Sequence, residues 1–355
     1  MIPSLDPGIY FGLPEDTYHA LPYLSASGVK NLLVSPMDFW ARSWMNPERE
    51  DEDTEAKTLG RAYHKRILEG SAAFYASYAA KFSCDDPNAI RTADQIKDAL
   101  RALGEPVSFK TKDEGISRLL AADPLAVIYD DLKAAYEDEH DGKVFLGADM
   151  IHKIELSARM IECHPALKFY FRGGFPEVTV IWDDDDFGLR FKARFDYLKV
   201  NTVNDLKTFA NLMNKSIERA VYGEIASRRY HIQAGLYLRA AEIAKQMAAS
   251  GMVEWCGDKA AMPDYFTKWL EAFSSAPSHD FAFAFQQKGP APVSVGAVFG
   301  HDDPMLAAGI ACVYQAADTF KKCAEVYGMD GTPWVDTREP IVLHWQQFPS
   351  YANDF

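Results

Sequence analysis

From Gly188 to Leu198 the chain alternates in polarity. Leu189, Phe191, Ala193, Phe195 and Tyr197 fall on one side and Arg190, Lys192, Arg194 and Asp196 on the other. That period of two predicts a half-buried strand. Just upstream, Glu177 to Trp182 pairs with it as a hairpin over a turn at Asp183 to Gly188. In the next short segment, Asp205 and Lys207 are two residues apart and so share a strand face. Leu212 to Lys245 reads as a long helical stretch broken near Gly223, with Tyr230, Gln233, Ala234 and Tyr237 on one stripe at i, i+3, i+4 and i+7. Asp280 to Lys288 is another strand, ended by Gly289-Pro290; PVSVGAVFG offers one more, and a helix follows from about Pro304 to Tyr327. This order of elements predicts an α/β fold with a central mixed sheet covered by helices.

The first half of the chain reads differently. Ser25 or Ser27 caps a helical run through Val29, Leu32 and Leu33, and Pro36 precedes the aromatic group Phe39, Trp40 and Trp44. An acidic, solvated loop from Glu48 to Glu55 leads into TLGRAYHKRILEG, where Leu59, Tyr63 and Ile67 recur at helical spacing, His64 lies beside them and Gly70 offers a stop. Two capping boxes, Thr92 with Gln95 and Thr111 with Glu114, mark a helical pair at about residues 89–122. A hairpin of Val127 to Tyr129 with Lys143 to Leu146 is expected next, then a helix from Ala148 to Leu167. No linker or repeat separates these parts, so residues 1–355 are expected to form one domain with the pair at 89–122 as an insertion.

Composition narrows the function. At 48% hydrophobic and 25% charged, 355 residues can bury a sizeable core. No apolar run suits a membrane span and no secretory signal is visible, so the expected location is the cytoplasm. The five cysteines, Cys84, Cys163, Cys256, Cys312 and Cys323, never form a C-x-x-C pair, which argues against zinc ribbons and disulfide frameworks. A formal net charge of -14 argues against indiscriminate nucleic-acid binding, so any contact with DNA must use a local basic surface. The aspartates at 183–186 are expected to be a solvated turn, since adjacent strand residues alternate sides and cannot all face one ion.

Asp196 and Asp205, with the Leu206 carbonyl, supply hard oxygen ligands of the kind that suit magnesium or manganese. Lys207, held close by its spacing, can stabilise charge developing on a phosphate. Gln233, if buried, needs partners, and a neighbouring site would provide them.

The order Gly60-x-x-x-His64, Glu177, Asp196, Asp205-Leu206-Lys207 and Gln233-x-x-x-Tyr237 resembles the PD-(D/E)XK nucleases of the RecB-like group. LSASGVKNLL, LGRAYHKRILEG, FAFAFQQKGPAP and the tails near Trp334 and Trp345 look like the exonuclease VIII (RecE)-type nuclease domain, of which lambda exonuclease is a functional relative. No proline precedes Asp196, and Asp205 stands where many members carry Glu. The resemblance implies a restriction-endonuclease-like core, catalysis by Asp196, Asp205, Lys207 and Glu177, and His64 and Glu177 as further metal ligands. It also implies that Gln233 and Tyr237, with Arg228 or Arg229, grip the DNA backbone. The implied cofactor is Mg2+, with Mn2+ able to substitute and no iron-sulfur cluster, because the four cysteines that hold one in some relatives are lacking. The implied activity is digestion of linear double-stranded DNA from its ends, 5′ to 3′, for phage-type recombination with a single-strand annealing protein. A homo-oligomeric ring, trimer or tetramer, and no membrane are expected. A single-strand-specific or structure-selective nuclease on the same fold, or a catalytically inactive DNA- or protein-binding module, are the alternatives.

Overall fold

The structure is a computed structural model that describes residues 4–49, 54–211, 213–289, 292–336, 338–340 and 342–344. Outside the described residues lie Glu50 to Asp53 of the acidic loop, Leu212, Pro290, Ala291 and Trp345. Among those described, the strands are β1 (Gly8–Phe11), β2 (Tyr78–Ala80), β3 (Val144–Leu146), β4 (Phe175–Asp184), β5 (Leu189–Leu198), β6 (Thr202–Phe209), β7 (Val253–Trp255), β8 (Asp280–Gln287) and β9 (Ser294–Phe299). The chain divides into two compact units, residues 1–54 with 161–355, and residues 55–160.

The larger unit is a mixed α/β layer structure built on a seven-stranded sheet in the order β7-β1-β4-β5-β6-β8-β9. β1/β4, β4/β5, β5/β6 and β8/β9 are antiparallel, while β1/β7 and β6/β8 are parallel. Alternation assigns its faces: Ile9, Phe11, Val180 and Trp182 join the main core, whereas Tyr10 and Ile181 join a smaller cluster with Tyr18 and Leu21. β8 buries Phe281, Phe283 and Phe285 on one face and Ala282, Ala284 and Gln286 on the other, as expected of a strand covered on both sides.

The helix Tyr230–Ala249 lies across β1, β4, β5, β6 and β8 and against the helix Pro304–Tyr327. The break before it falls at Arg228 and Arg229 instead of Gly223, because the helix Ile217–Ser227 ends there and Arg229 turns into the left-handed region at φ 51. One close approach sets how the two long helices meet. A Cβ on Gly309 would stand 2.3 Å from the His231 carbonyl oxygen, so only glycine lets the backbones touch.

The covered face corrects two expectations. Lys192 lies on the polar side of β5 yet is only 5% exposed. The segment around the helix Glu15–Ala20 covers it, and its ammonium donates to the carbonyls of Tyr18 and Leu21 at 2.8 and 2.7 Å. The aspartate run is likewise not wholly solvated. Asp184 is buried and accepts from Trp182 Nε1 at 2.9 Å and from the Arg239 guanidinium at 2.6 and 2.7 Å.

In the unit of residues 55–160, Thr92 makes the full capping box with Gln95 at the start of Ala93–Ala102, and the Thr111 hydroxyl accepts from the Glu114 N–H at the start of Lys112–Ala122. Ile96, Leu100, Leu119 and Ile128 bury one another between these elements. The hairpin expected at Val127 to Leu146 does not form: β3 pairs instead in parallel with β2, and Tyr129–Glu139 is a helix. Gly70 does not stop the helical run. After Glu55–His64 the backbone passes through a π-turn at Lys65–Glu69, and Gly70, at φ 90, redirects it into a further helix to Ser77. Arg66 clamps Glu155 through Nε at 2.9 and 3.0 Å.

Substituting Gly309→Ala should destabilise the protein by about 1–3 kcal/mol, because the added methyl meets backbone that cannot yield. Gly60→Ala, at a helical position with nothing within 4 Å of the new methyl, should stabilise by about 0.5–1 kcal/mol. Urea denaturation of the two variants measures both signs.

Candidate metal centre

The site is built where β4, β5 and β6 lie side by side. The pairs Pro176↔Tyr197 and Val178↔Phe195 set Glu177 level with Asp196 across β4 and β5. Tyr197↔Asn204, continued by one residue, would set Asp196 opposite Asp205 on β6. The β5/β6 ladder stops at that point, and the Leu206 N–H donates to Asp196 Oδ2 at 2.8 Å. A carboxylate thus replaces a backbone acceptor. Glu177 departs from strand geometry, with φ at 53, a region that a non-glycine residue occupies at a cost of about 1–3 kcal/mol. The result is convergence: carboxylate oxygens of Glu177 and Asp196 lie within 4.8 Å of each other.

Asp205 sits deepest, with no exposed surface. Its Oδ1 accepts from Gln233 Nε2 at 2.7 Å, and its Oδ2 lies 2.6 Å from Lys207 Nζ but receives no well-directed hydrogen bond. Gln233 can reach down because the helix Tyr230–Ala249 crosses above β6 and turns that stripe inward. Glu177 Oε2 accepts from Arg194 Nε at 2.6 Å, while Arg194 Nη1 donates to the Leu13 carbonyl at 2.9 Å and to Thr179 Oγ1 at 3.2 Å.

The electrostatics follow from this crowding. Burial, and then the Asp205 charge, push the Asp196 carboxyl up to about 8, so without a metal it keeps its proton at neutral pH and avoids a second buried charge beside Asp205. Burial alone would lower Lys207; the carboxylates of Asp205 and Asp196 outweigh it and raise the ammonium above its ordinary value, keeping it charged. Lys207 Nζ also stands 5.1 Å from the Tyr230 ring centroid.

These residues fit a divalent cation. A carboxylate whose proton affinity is raised by a neighbouring carboxylate has negative charge to share with a metal, and Asp205 Oδ2 is a buried oxygen with an unused lone pair. Glu177, Asp196 and Asp205 are all hard oxygen donors, the chemistry that suits such ions.

The other expected site residues are placed as follows. Tyr237 is buried, with its ring 5.4 Å from that of Phe195, and burial raises its hydroxyl well above the usual range. Gln233 is spent on Asp205, so neither side chain of that pair turns to solvent. Arg228 and Arg229 are exposed at the junction before the helix, Arg228 pairing with Glu224 at 3.3 Å. Leu206 is fully buried within β6, in register with Ala284 of β8. His64 belongs to the other unit, where it ends the helix Glu55–His64. One participant and one neighbour escape a reading by periodicity. Arg194 was visible on the polar side of β5 but nothing in the pattern tied it to Glu177, and Lys30, on the helix Ala26–Leu32 with its Nζ 5.1 Å from the Tyr230 ring centroid, gave no signal beyond being off the buried stripe of Ala26, Val29 and Leu32.

No family model matches the sequence, and no curated protein matches it. Among solved structures the chain is similar to that of a "putative exonuclease" from Eubacterium rectale, with 15% identity, coverage of 90% of this chain and 88% of that chain, and a TM-score of 0.46.

Proposed function

We propose that the chain is a metal-dependent nuclease that hydrolyses phosphodiester bonds of DNA, with Mg2+ as its working ion and Mn2+ able to replace it. The observation that carries this reading is the buried pair of Asp205 and Lys207 at 2.6 Å beside the crowded carboxylates Asp196 and Glu177. Asp196 and Asp205 would hold the ion with the Leu206 carbonyl, and Glu177 would be a further ligand. His64 is proposed as a ligand on the sequence likeness alone. When bound, such an ion polarises a phosphate and lowers the pKa of its water.

The chain's own residues have defined tasks in this reading. Gln233 orients the Asp205 carboxylate by donating to Oδ1, which frees Oδ2 to ligate. Lys207 stays protonated and offers a fixed positive charge to the phosphate oxygens as negative charge grows there. Arg194 holds Glu177 level with Asp196. Arg228 and Arg229 offer exposed charge to the DNA backbone, positioning it without reading bases. Tyr237 supports the Phe195 packing beneath the helix that carries Gln233. Digestion from duplex ends, 5′ to 3′ polarity, an annealing partner and a ring-shaped homo-oligomer extend the proposal on the sequence likeness alone.

Incubation of the protein with linear duplex, closed circular duplex and single strands tests the reading. With Mg2+ or Mn2+ the linear duplex should be degraded and the circle spared, and chelation should stop the reaction. Asp205→Asn and Lys207→Ala should each lower kcat by roughly 10²–10³-fold. Absence of metal-dependent cleavage of every substrate would sink the proposal.

Stability gives an independent check. The Asp196 carboxyl is raised in the fold from 3.8 to about 8, so it binds a proton more readily folded than unfolded. Its contribution is complete below the unfolded value and is lost as pH rises toward 8. Metal-free protein should therefore lose stability across that window, and Asp196→Asn should flatten the loss. Mn2+ at a hundredfold excess over Kd should stabilise the wild type at pH 8 by about 2.7 kcal/mol, read as a higher thermal midpoint, and leave Asp196→Asn nearly unmoved.

A further inference from the structure

One cation beside this centre has no role in the scheme above. Lys30 projects from the helix Ala26–Leu32 and is half-buried. Its Nζ stands 5.1 Å from the Tyr230 ring centroid, the same distance as Lys207 Nζ from that same ring, so the two ammoniums are at most twice that distance apart. Lys207 has its counter-charge in Asp205. Lys30 has none: among the described residues it makes no ion pair and its ammonium makes no hydrogen bond.

The surroundings add positive charge instead of relieving it. Burial, then Lys207 and Arg228, lower the Lys30 ammonium to about 8, with Asp205 opposing. His231, next along the helix, is held toward its neutral form by burial, Arg229 and Lys30, and its buried Nδ1 has no partner. A single aromatic face contributes about 0.5–2 kcal/mol to one cation and cannot neutralise two. Charge balance at this rim is therefore left to an anion that comes from outside, within reach of the site that Lys207 serves.

Resting on the nuclease reading, we propose that Lys30 is a positioning residue that binds a phosphodiester group of the DNA strand adjacent to the scissile phosphate, while Lys207 serves the scissile group itself. Tyr230 is the spacer between them. Both ammoniums stand against its ring, so their proximity is built into the protein before DNA arrives.

The test uses the full chain and a fluorescein-labelled linear duplex. Equilibrium binding is measured without divalent metal over a series of KCl concentrations, and steady-state cleavage is measured with Mn2+, for wild type, Lys30→Gln and Lys30→Arg. Lys30→Gln should weaken binding and raise KM roughly five- to tenfold, with kcat at saturating DNA held near wild type. It should also reduce the slope of log affinity against log salt by about 0.9, the signature of one lost phosphate contact. Lys30→Arg should restore both. If Lys30→Gln unfolds, as judged by thermal melting, Lys30→Met takes its place, since it keeps the apolar stem over Tyr230.

Wild-type KM and salt slope in a folded Lys30→Gln, or an Arg variant as defective as the Gln variant, would overturn the assignment while leaving the nuclease reading intact. A wild type that cleaves nothing, yet loses salt slope on Lys30→Gln, would end the nuclease reading and support the phosphate contact.

Discussion

A fully buried carboxylate has to be balanced, and the balance of Asp205 organises the site. Removing a charge of that kind from water costs several kcal/mol unless paired and hydrogen-bonded. Lys207 and Gln233 meet that cost from two directions, one along the same strand and one from the helix above. The need for Gln233 fixes where the helix Tyr230–Ala249 must cross the sheet. Its crossing in turn depends on the backbone contact at Gly309. Core packing and site chemistry are thus coupled through one helix, with the packing holding in place a polar network that would otherwise be expensive.

The centre carries more negative charge than its lysine can offset. Neighbouring strands bring Glu177 and Asp196 together, and the interruption of the β5/β6 ladder gives Asp196 a backbone N–H in place of a second cation. Arg194 compensates Glu177 but is spread over Leu13 and Thr179 as well. Burial first, and then this remaining imbalance, make the Asp196 carboxyl hold its proton so strongly, and the imbalance is why hard divalent ions suit the place. Outward from the acids the sign changes, to Lys30, Arg228 and Arg229, a local reversal in a chain of net charge -14.

The legible part of this arrangement was the part that local periodicity controls. Two-residue spacing put Asp205 and Lys207 on one face, the 3.6 period put Gln233 on the inward stripe, and the element order announced a mixed sheet under helices. Register across strands was not legible, because it depends on which hairpin residues pair; that hid the opposition of Glu177 and Asp196. Coverage was not legible either. Alternation says that Lys192 and Asp184 are polar positions on their strands, but not that a helical segment or Arg239 closes over them. Lys30 was hidden for a third reason, since its link to Lys207 runs through an aromatic ring some two hundred residues away in sequence and leaves no spacing to read.

The backbone at Glu177 carries a further consequence. A left-handed conformation inside a strand is one that glycine, asparagine or aspartate would hold with less strain than glutamate. Selection for folding alone would drift toward those residues, and the shortest of them would remove the carboxylate that meets Asp196. A glutamate at this position therefore sets robustness against chemistry at a single residue, where the most stable protein and the most competent one are different sequences.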